Sequence, residues 1–454
     1  MTPSRLRHAT SRFLADYGML FVLVLLCAYY SWATYSEQHP NGAEGGRQLA
    51  AQLVQQFGAG TQVLIVARDT PEDVTFADTL QQQLARANVA IAGVVKGQPA
   101  DARQALQQVI DSNQPLDLIA CNHATAAWAV FDRLGDKSPR LAATKLVVPR
   151  SYGWPNFLKP ENLINIANQI AVIAILAIGM TLVIITGGID LSVGSLIALS
   201  AVVAALLIQD VAGAQQASVP AMVLACLAGV AVCGLAGFFS GVMVTLFSIP
   251  AFIATLTMML VASGAAFLFA KGQSVYRLPD SFVWLGRGAD LGHLPNAVIM
   301  MAGLYLIAHL LMTRTVLGRY VYAVGGNAEA ARLSGVPVKA VVLFVYTVCG
   351  ALAGLGGIVM ASQLKSGSPT YGQMYELYVI AAVVVGGTSL SGGEGKVLGT
   401  LIGAFIIAVI QNGMNLTGIE SYTQKVVLGL VILGAVLLDM LKRRGGDLLR
   451  RGGW

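Results

Sequence analysis

Ile184-Ile185-Thr186-Gly187-Gly188-Ile189-Asp190-Leu191-Ser192-Val193-Gly194-Ser195 sets one carboxylate in a polar, glycine-rich break between two long apolar runs. A charge inside an apolar segment is costly, so such residues face a cavity, a partner or the interior of a helix bundle. Asp190 therefore has two readings at this point. It is a residue of a membrane pathway, or it is the N-cap of a helix starting near Leu191.

Composition decides what the flanking runs are. Hydrophobic residues make up 56% of the 454 residues and charged residues 11%, and the mean hydropathy is +0.67. That balance is a polytopic membrane protein rather than a soluble globular domain. The net charge of +6 comes with no basic run interleaved with aromatics, so a nucleic-acid partner is not expected. It reads as topology instead. Cys27, Cys121, Cys226, Cys233 and Cys349 have neither zinc-finger nor redox spacing, which predicts small buried hydrophobes and no metal site.

Toward the N-terminus, Arg5, Arg7, His8 and Arg12 precede the apolar run Tyr17 to Tyr35. The run is long enough to span, at about 19 residues, no small-residue cleavage site follows it, and Leu26 before Cys27 does not suit lipoprotein processing. It reads as a signal anchor with its basic flank in the cytoplasm. Toward the C-terminus, apolar spans lie near 163–186, 191–209, 220–246, 250–270, 296–313, 340–361, 375–388, 397–412 and 425–440. With the first run this predicts an all-α membrane bundle of about ten transmembrane helices. The even number returns the basic tail Lys442, Arg443, Arg444, Arg450 and Arg451 to the starting side. Several spans are short and glycine-broken, as expected of discontinuous helices lining a cavity.

Between the first two spans the composition changes. From 36 to 152 the chain is rich in Gln, Asp, Arg and Ala. Helix-period stretches at Gly45 to Phe57, Glu72 to Asn88, Asp101 to Asp111 and Ala124 to Leu134 alternate with apolar runs Val63 to Ala67, Val89 to Val95, Leu116 to Cys121 and Lys145 to Val148. That alternation predicts parallel βαβ units in an inserted, extracytoplasmic α/β domain. Ligands of such sheets bind at the carboxyl ends of the strands, where Asp69, Asn122 and His123 stand.

The opening break has an echo. Gly187 to Gly194 recurs as Gly386-Gly387-Thr388-Ser389-Leu390-Ser391-Gly392-Gly393, with five of eight positions matching, as in transporters built from repeats. The Leu390-Ser391-Gly392-Gly393-Glu394 stretch looks like the signature of ABC ATPases. No phosphate loop accompanies it, because Gly395-Lys396 is followed by Val397 rather than Ser or Thr and lies between membrane spans. The chain is therefore read as having no ATPase motif of its own and as binding no cofactor.

The loop 313–340 carries Arg314, Arg319, Arg332 and Lys339 and belongs in the cytoplasm by charge. Within it, Gly325-Gly326-Asn327-Ala328-Glu329-Ala330-Ala331-Arg332-Leu333-Ser334-Gly335 predicts a short helix closed by Gly335. It reads either as a docking helix or as an ordinary solvated loop.

These stretches, with Val385 and Gln411-Asn412-Gly413, resemble the inner-membrane permeases of ribose- and xylose-type bacterial ABC sugar importers. The resemblance covers residues 1–35 and 150–454. It implies transport of a monosaccharide across the bacterial inner membrane, a homodimer in membrane lipid, a cytoplasmic ABC ATPase that uses the ATP, and a periplasmic sugar-binding protein. It carries the ATPase-coupling role to Glu329, Ala330, Ala331, Arg332 and Gly335. The insert, through Gly46-Arg47, Gly97-Gln98-Pro99-Ala100-Asp101 and Ala120-Cys121-Asn122-His123-Ala124, resembles the second lobe of periplasmic sugar-binding proteins. That family usually has Asn-Asp where this chain has Asn122-His123, and the other lobe is missing, so a docking or sensing role is as well supported as sugar capture.

The expected organisation is an N-terminus and first helix at 1–35, the insert at 36–152, a permease domain at 153–441 and a basic cytoplasmic tail at 442–454. Candidate pathway residues are Thr186, Asp190, Ser192, Ser389, Ser391, Glu376, Gln411, Asn412 and Asn415, because sugar hydroxyls need both donors and acceptors. The alternatives are a ligand-sensing membrane protein and an ion-coupled transporter with Asp190 as the coupling site.

Overall fold

The computed structural model describes residues 3–451 apart from Ala59 and Asn113; for 3–17 and 441–451, and for Lys137, Ala435, Leu438 and Asp439, it describes the backbone alone. The side chains of the N-terminal and C-terminal basic clusters thus lie outside the described residues. The chain divides into two compact units, one of Tyr35–Pro155 and one of the remainder.

The larger unit begins with α1 (Pro3–Ala33). The smaller unit follows, with β1 (Tyr35–Gln38), α2 (Gly42–Phe57), β2 (Gln62–Ala67), α3 (Pro71–Arg86), β3 (Ala90–Lys96), α4 (Pro99–Asp111), β4 (Leu118–Cys121), α5 (His123–Ala126), α6 (Leu134–Lys137), β5 (Lys145–Val147) and β6 (Tyr152–Pro155). Its main sheet has the order β3-β2-β4-β5 with every pairing parallel. β2 is central and buried on both faces. Val63 and Ile65 pack with Leu49, Phe76 and Leu80 on one side, while Leu64 and Val66 pack with Leu106, Ile119 and Phe131 on the other, as the two-residue period of a strand requires. A separate antiparallel ribbon pairs β1 with β6, Tyr35 opposite Pro155 and Gln38 opposite Tyr152. No local pattern announced it, because its strands are four residues each and lie at opposite ends of the segment. The single helix expected over Ala124 to Leu134 is corrected to α5, a 3-10 turn at Ala129–Phe131 and α6. Extended backbone at Trp128 and Asp132 and a left-handed Arg133 (φ 49) interrupt it.

The larger unit continues with α7 (Pro160–Ile185), α8 (Val193–Asp210), α9 (Val219–Leu246), α10 (Ala251–Phe269), α11 (Trp284–Arg287), α12 (Asn296–Arg314), α13 (Val316–Gly326), α14 (Ala328–Leu333), α15 (Val338–Leu364), α16 (Tyr375–Val385), α17 (Val397–Leu416) and α18 (Ser421–Arg451). Among the described residues, seven of these are long and apolar enough to cross a membrane: α7, α8, α9, α10, α12, α15 and α17. Three further apolar stretches, Gly18–Ala33, Tyr375–Val385 and Ser421–Gly434, are shorter. The unit is built around α7, whose apolar window is 89% buried against 22% for α10. α7 packs on α12, α15, α16 and α17. α9 and α15 approach backbone to backbone, since a Cβ on Gly350 would stand 2.3 Å from the Cys233 carbonyl oxygen. Small residues are how membrane helices gain such contact. The 313–340 loop is mostly helical, with α13 preceding the short helix that the sequence predicted.

Candidate functional site

Thr186 and the two glycines after it end α7 by a hydrogen-bonded turn. Gly187 takes φ 80, its amide donates to the Ile184 carbonyl at 2.9 Å, and the Gly188 amide donates to Val183 at 3.0 Å. This is the Schellman arrangement that satisfies the last carbonyls of a helix. It needs glycine at the left-handed position. Gly188 is held small for another reason, because a Cβ there would meet the Tyr346 hydroxyl at 2.3 Å.

The freed chain then places Asp190 in the bundle interior, with no exposed surface. Its Oδ1 accepts from the Ser192 amide at 2.9 Å and from the Ser192 hydroxyl at 2.6 Å. The Oδ2 is buried without a hydrogen-bond partner; the Tyr346 ring and the weakly donating Cys349 thiol lie close enough to interact with the carboxyl electrostatically. The expectation that Asp190 caps the next helix needs correction. α8 starts at Val193 with Ser192 as its N-cap, and Asp190 instead closes an Asx turn onto Ser192. The Ile189 carbonyl accepts from Thr255 of α10 at 3.1 Å, tying the break to a second helix.

The other break is capped the same way. Gly387 takes φ 89, its amide donates to Val384 at 2.9 Å, and Thr388 donates to Val383 at 3.1 Å. Ser389 then accepts from the Ser391 amide at 3.1 Å, as Asp190 does from Ser192. The caps equate Gly187 with Gly387, whereas the turns equate Asp190 with Ser389. The second break is thus one residue shorter between cap and turn than the sequence echo implies.

A cavity of about 310 Å³ with a mixed lining lies beside the first break, bounded by Gly194, Ser195, Ser263, Tyr371, Gln373 and Glu376 among others. It is formed by α8, α10 and the segment leading into α16. Its volume is at the lower end of the range typical of ligand pockets. Of the sequence candidates, Glu376 lines it. Ser195 closes the opening stretch but was not among the pathway candidates, and Ser263 and Gln373 escaped notice because Ser263 sits in an otherwise apolar span and Gln373 in a loop whose course depends on left-handed Lys365 and Met374 (φ 53 and 67).

The remaining candidates scatter. Gln411 lines a second cavity of about 250 Å³ with Gln169, Gln363 and Tyr375. Asn412 exchanges two amide hydrogen bonds with Asn162, at 3.0 and 2.8 Å, which clamps α17 to α7. Asn415 accepts from Gln424 at 2.8 Å, and Thr186 donates back to the Val183 carbonyl. Ser192 and Ser389 are buried in the breaks, and Ser391 is exposed.

At α14, Asn327 caps the helix by accepting from the Ala330 amide at 2.9 Å, and Gly335 ends the turn at φ 85. Glu329 and Arg332 form an ion pair with both side chains about two-thirds exposed. Leu333 is 79% exposed while Ala331 is buried. The six-residue helix thus exposes one large apolar residue beside an ion pair.

In the smaller unit, a cavity of about 400 Å³ is lined by His39, Pro40, Asn41, Asn122, His123 and Ala124. Asp69 is exposed and does not line it. Asn122 is committed elsewhere, accepting from the Thr125 amide at 2.8 Å and donating to Asn41 at 3.0 Å. Asn41 in turn donates to Asp73 at 2.6 Å, and Arg68 pairs with Asp73. Burial works to raise the Asp73 pKa, but the bonds from Arg68, Asn41 and Asn122 outweigh it and hold the carboxyl below its ordinary value. His123 bonds the Pro149 carbonyl at 2.8 Å and packs on the His39 ring at 4.2 Å. Burial pushes the Cys121 thiol up to about 12, in keeping with an inert core cysteine. Among the described residues no cluster of three or more His, Cys, Asp or Glu could hold a metal ion.

Comparison with known proteins places this geometry. The chain is 44% identical over 323 residues to the ribose import permease protein RbsC of Escherichia coli (strain K12), an alignment covering 70% of this chain and 96% of that one. The RbsC protein of Bacillus subtilis (strain 168) is 43% identical over 316 residues, 69% of this chain and 94% of the relative. The L-arabinose ABC transporter permease protein AraH of Azospirillum brasilense is 34% identical over 341 residues, 75% and 97%. No solved structure matches the chain. Residues 162–436, which contain both breaks, the cavity beside Glu376 and α14, match the family described as branched-chain amino acid transport system / permease component, and the chain belongs to that family.

Proposed function

We propose that this chain is the permease of an ATP-driven importer for a monosaccharide, a multi-pass inner-membrane protein without an ATPase of its own. The observation that carries this is the alignment with ribose import permeases over 94–96% of their length. The seven long helices and three shorter apolar stretches amount to ten crossings in this reading, with the 36–152 insert on the extracytoplasmic side and α14 in the cytoplasm.

The mechanism follows from the parts. α14 seats in a cytoplasmic ABC ATPase through Leu333, Ala330 and the Glu329–Arg332 pair. ATP binding there rocks two copies of the bundle in the lipid around a pathway that includes the Glu376 cavity, where serine hydroxyls, an amide and a carboxylate supply donors and acceptors for sugar hydroxyls. A separate binding protein delivers the sugar. The insert guides that delivery rather than capturing ligand, because Asn122 is spent on Thr125 and Asn41.

Uptake of D-ribose and L-arabinose into proteoliposomes tests the reading. Uptake that requires ATP and a co-purified ATPase supports it, and uptake that survives ATP removal but not an ionophore refutes it. The ion-coupled alternative has one observation on its side, the buried Oδ2 of Asp190, which meets only the weak Cys349 thiol. Within the leading reading, Glu329→Lys sets like charges side by side with Arg332 and is expected to cut uptake tenfold or more, about 1.4 kcal/mol or more in barrier, with insertion intact. Unchanged uptake sinks the role of α14.

A further inference from the structure

Three separated glycine stretches meet at one point of the larger unit. The end of α7, the end of α13 and the second break make their closest contacts backbone to backbone. The Gly393 amide donates to the Ile185 carbonyl at 2.8 Å. A Cβ built on Gly325 would lie 1.7 Å from that same carbonyl oxygen and 2.6 Å from the Gly393 nitrogen. A Cβ on Gly392 would lie 3.0 Å from the Gly325 oxygen and 3.1 Å from the Gly187 nitrogen. The Tyr322 hydroxyl, one turn back on α13, donates to the Gly395 carbonyl at 2.7 Å. Only Gly326 separates this contact from Asn327, the cap of α14.

We propose that this contact is the joint through which movement of α14 reaches both helix breaks at once, with Gly325 and Tyr322 as its positioning residues. The inference rests on the reading of α14 as the ATPase-docking helix. Its physical basis is that at Gly325, Gly392 and Gly393 the segments meet with no side chain between them. A side chain at such a contact absorbs small displacements by changing rotamer, whereas backbone held on backbone by a hydrogen bond moves as a piece. Close-packed contacts of this kind shift between discrete arrangements rather than deforming continuously. The end of α13 cannot move toward α7 without displacing Ile185, two residues before Gly187, and Gly393, four residues after Ser389. α14 is thereby linked to the turn that holds Asp190 and to its uncharged counterpart.

The neighbouring glycine provides the control. A Cβ on Gly326 meets nothing within 4 Å, so Gly326→Ala changes the same helix end without entering the joint. The measurement is D-ribose moved per ATP hydrolysed by the full chain with its co-purified ATPase in proteoliposomes. Gly325→Ala is expected to lower that ratio tenfold or more while ATPase binding and hydrolysis persist, Tyr322→Phe to lower it several-fold, and Gly326→Ala to stay within twofold of the parent. Equal ratios for Gly325→Ala and Gly326→Ala overturn the joint, and so does a loss of hydrolysis in proportion to transport. If Gly325→Ala does not assemble, Tyr322→Phe decides alone, since it removes one hydrogen bond and no volume, and an unchanged ratio there overturns the proposal. A parent protein that moves no sugar with ATP refutes the underlying importer reading, and the joint falls with it.

Discussion

Asp73 in the smaller unit and Asp190 in the larger are both wholly buried, and they are buried in opposite ways. Asp73 is surrounded by donors, with Arg68 and Asn41 on its oxygens and Asn122 bonding both the carboxyl and Asn41. Asp190 has one oxygen bonded twice to Ser192 and another that meets no donor stronger than the Cys349 thiol. A buried carboxylate whose bonds are all made belongs to the architecture, whereas one left half-made costs free energy that the fold must recover elsewhere. The contrast separates a carboxyl that ties its surroundings together from one whose bonds are only half made.

The sharpest way to break the contrast is to remove the first of these carboxyls. Asp73→Ala strands Asn41 and the Arg68 guanidinium, and hydrogen bonds to a charged group contribute about 1.5–3 kcal/mol each. The Arg68 share is softened because that side chain is 41% exposed. We expect the 35–155 unit to lose about 2–3 kcal/mol, read as faster hydrogen exchange across α3 and β2 in the full chain. An unaltered exchange profile removes Asp73 from the architecture and frees Asn122 to serve as a ligand position.

The second test acts on the other carboxylate. Asn at position 190 keeps an oxygen to accept both Ser192 bonds, so Asp190→Asn leaves the turn in place. The expected result is unchanged thermal stability with ATP-driven uptake lowered about tenfold, or ~1.4 kcal/mol. Normal uptake reduces Asp190 to a turn-forming residue and makes the two aspartates alike.

Sequence patterns reached these residues to different depths. The break at Gly187 was legible because paired glycines and a carboxylate inside an apolar run are incompatible with an unbroken helix facing lipid. The α14 helix was legible from Gly335, which closes it, while the cap at Asn327 came from the structure. Asp190's true partner was missed by a small margin, since an Asx turn and an N-cap differ only in where the helix starts. Asn122 could not be read at all, because its donor contact is with Asn41, eighty-one positions away. Ser263 and Gln373 were invisible for a similar reason. The cavity they line is assembled from α10 and a loop far along the chain, and neither has a local signature. The glycine contact at Gly325 is the extreme case, in which three ordinary glycine pairs acquire meaning only by meeting.

Acid offers the smallest effect and the most selective one. Since Asp73 titrates lower in the folded chain than the 3.8 of an unperturbed aspartate, the unfolded state binds more protons in the window below about pH 4, and stability there rises with pH. Its contribution is complete above that value and is lost as pH falls through the lower folded one. Asp73→Asn removes the titration, so its smaller-unit exchange, corrected for intrinsic rates, should change less between about pH 4 and about pH 2 than that of the parent. A parent and variant with parallel acid profiles would mean that Arg68 and Asn41 do not hold the Asp73 charge. Asp73 would then not be a satisfied buried acid to set against the half-bonded Asp190.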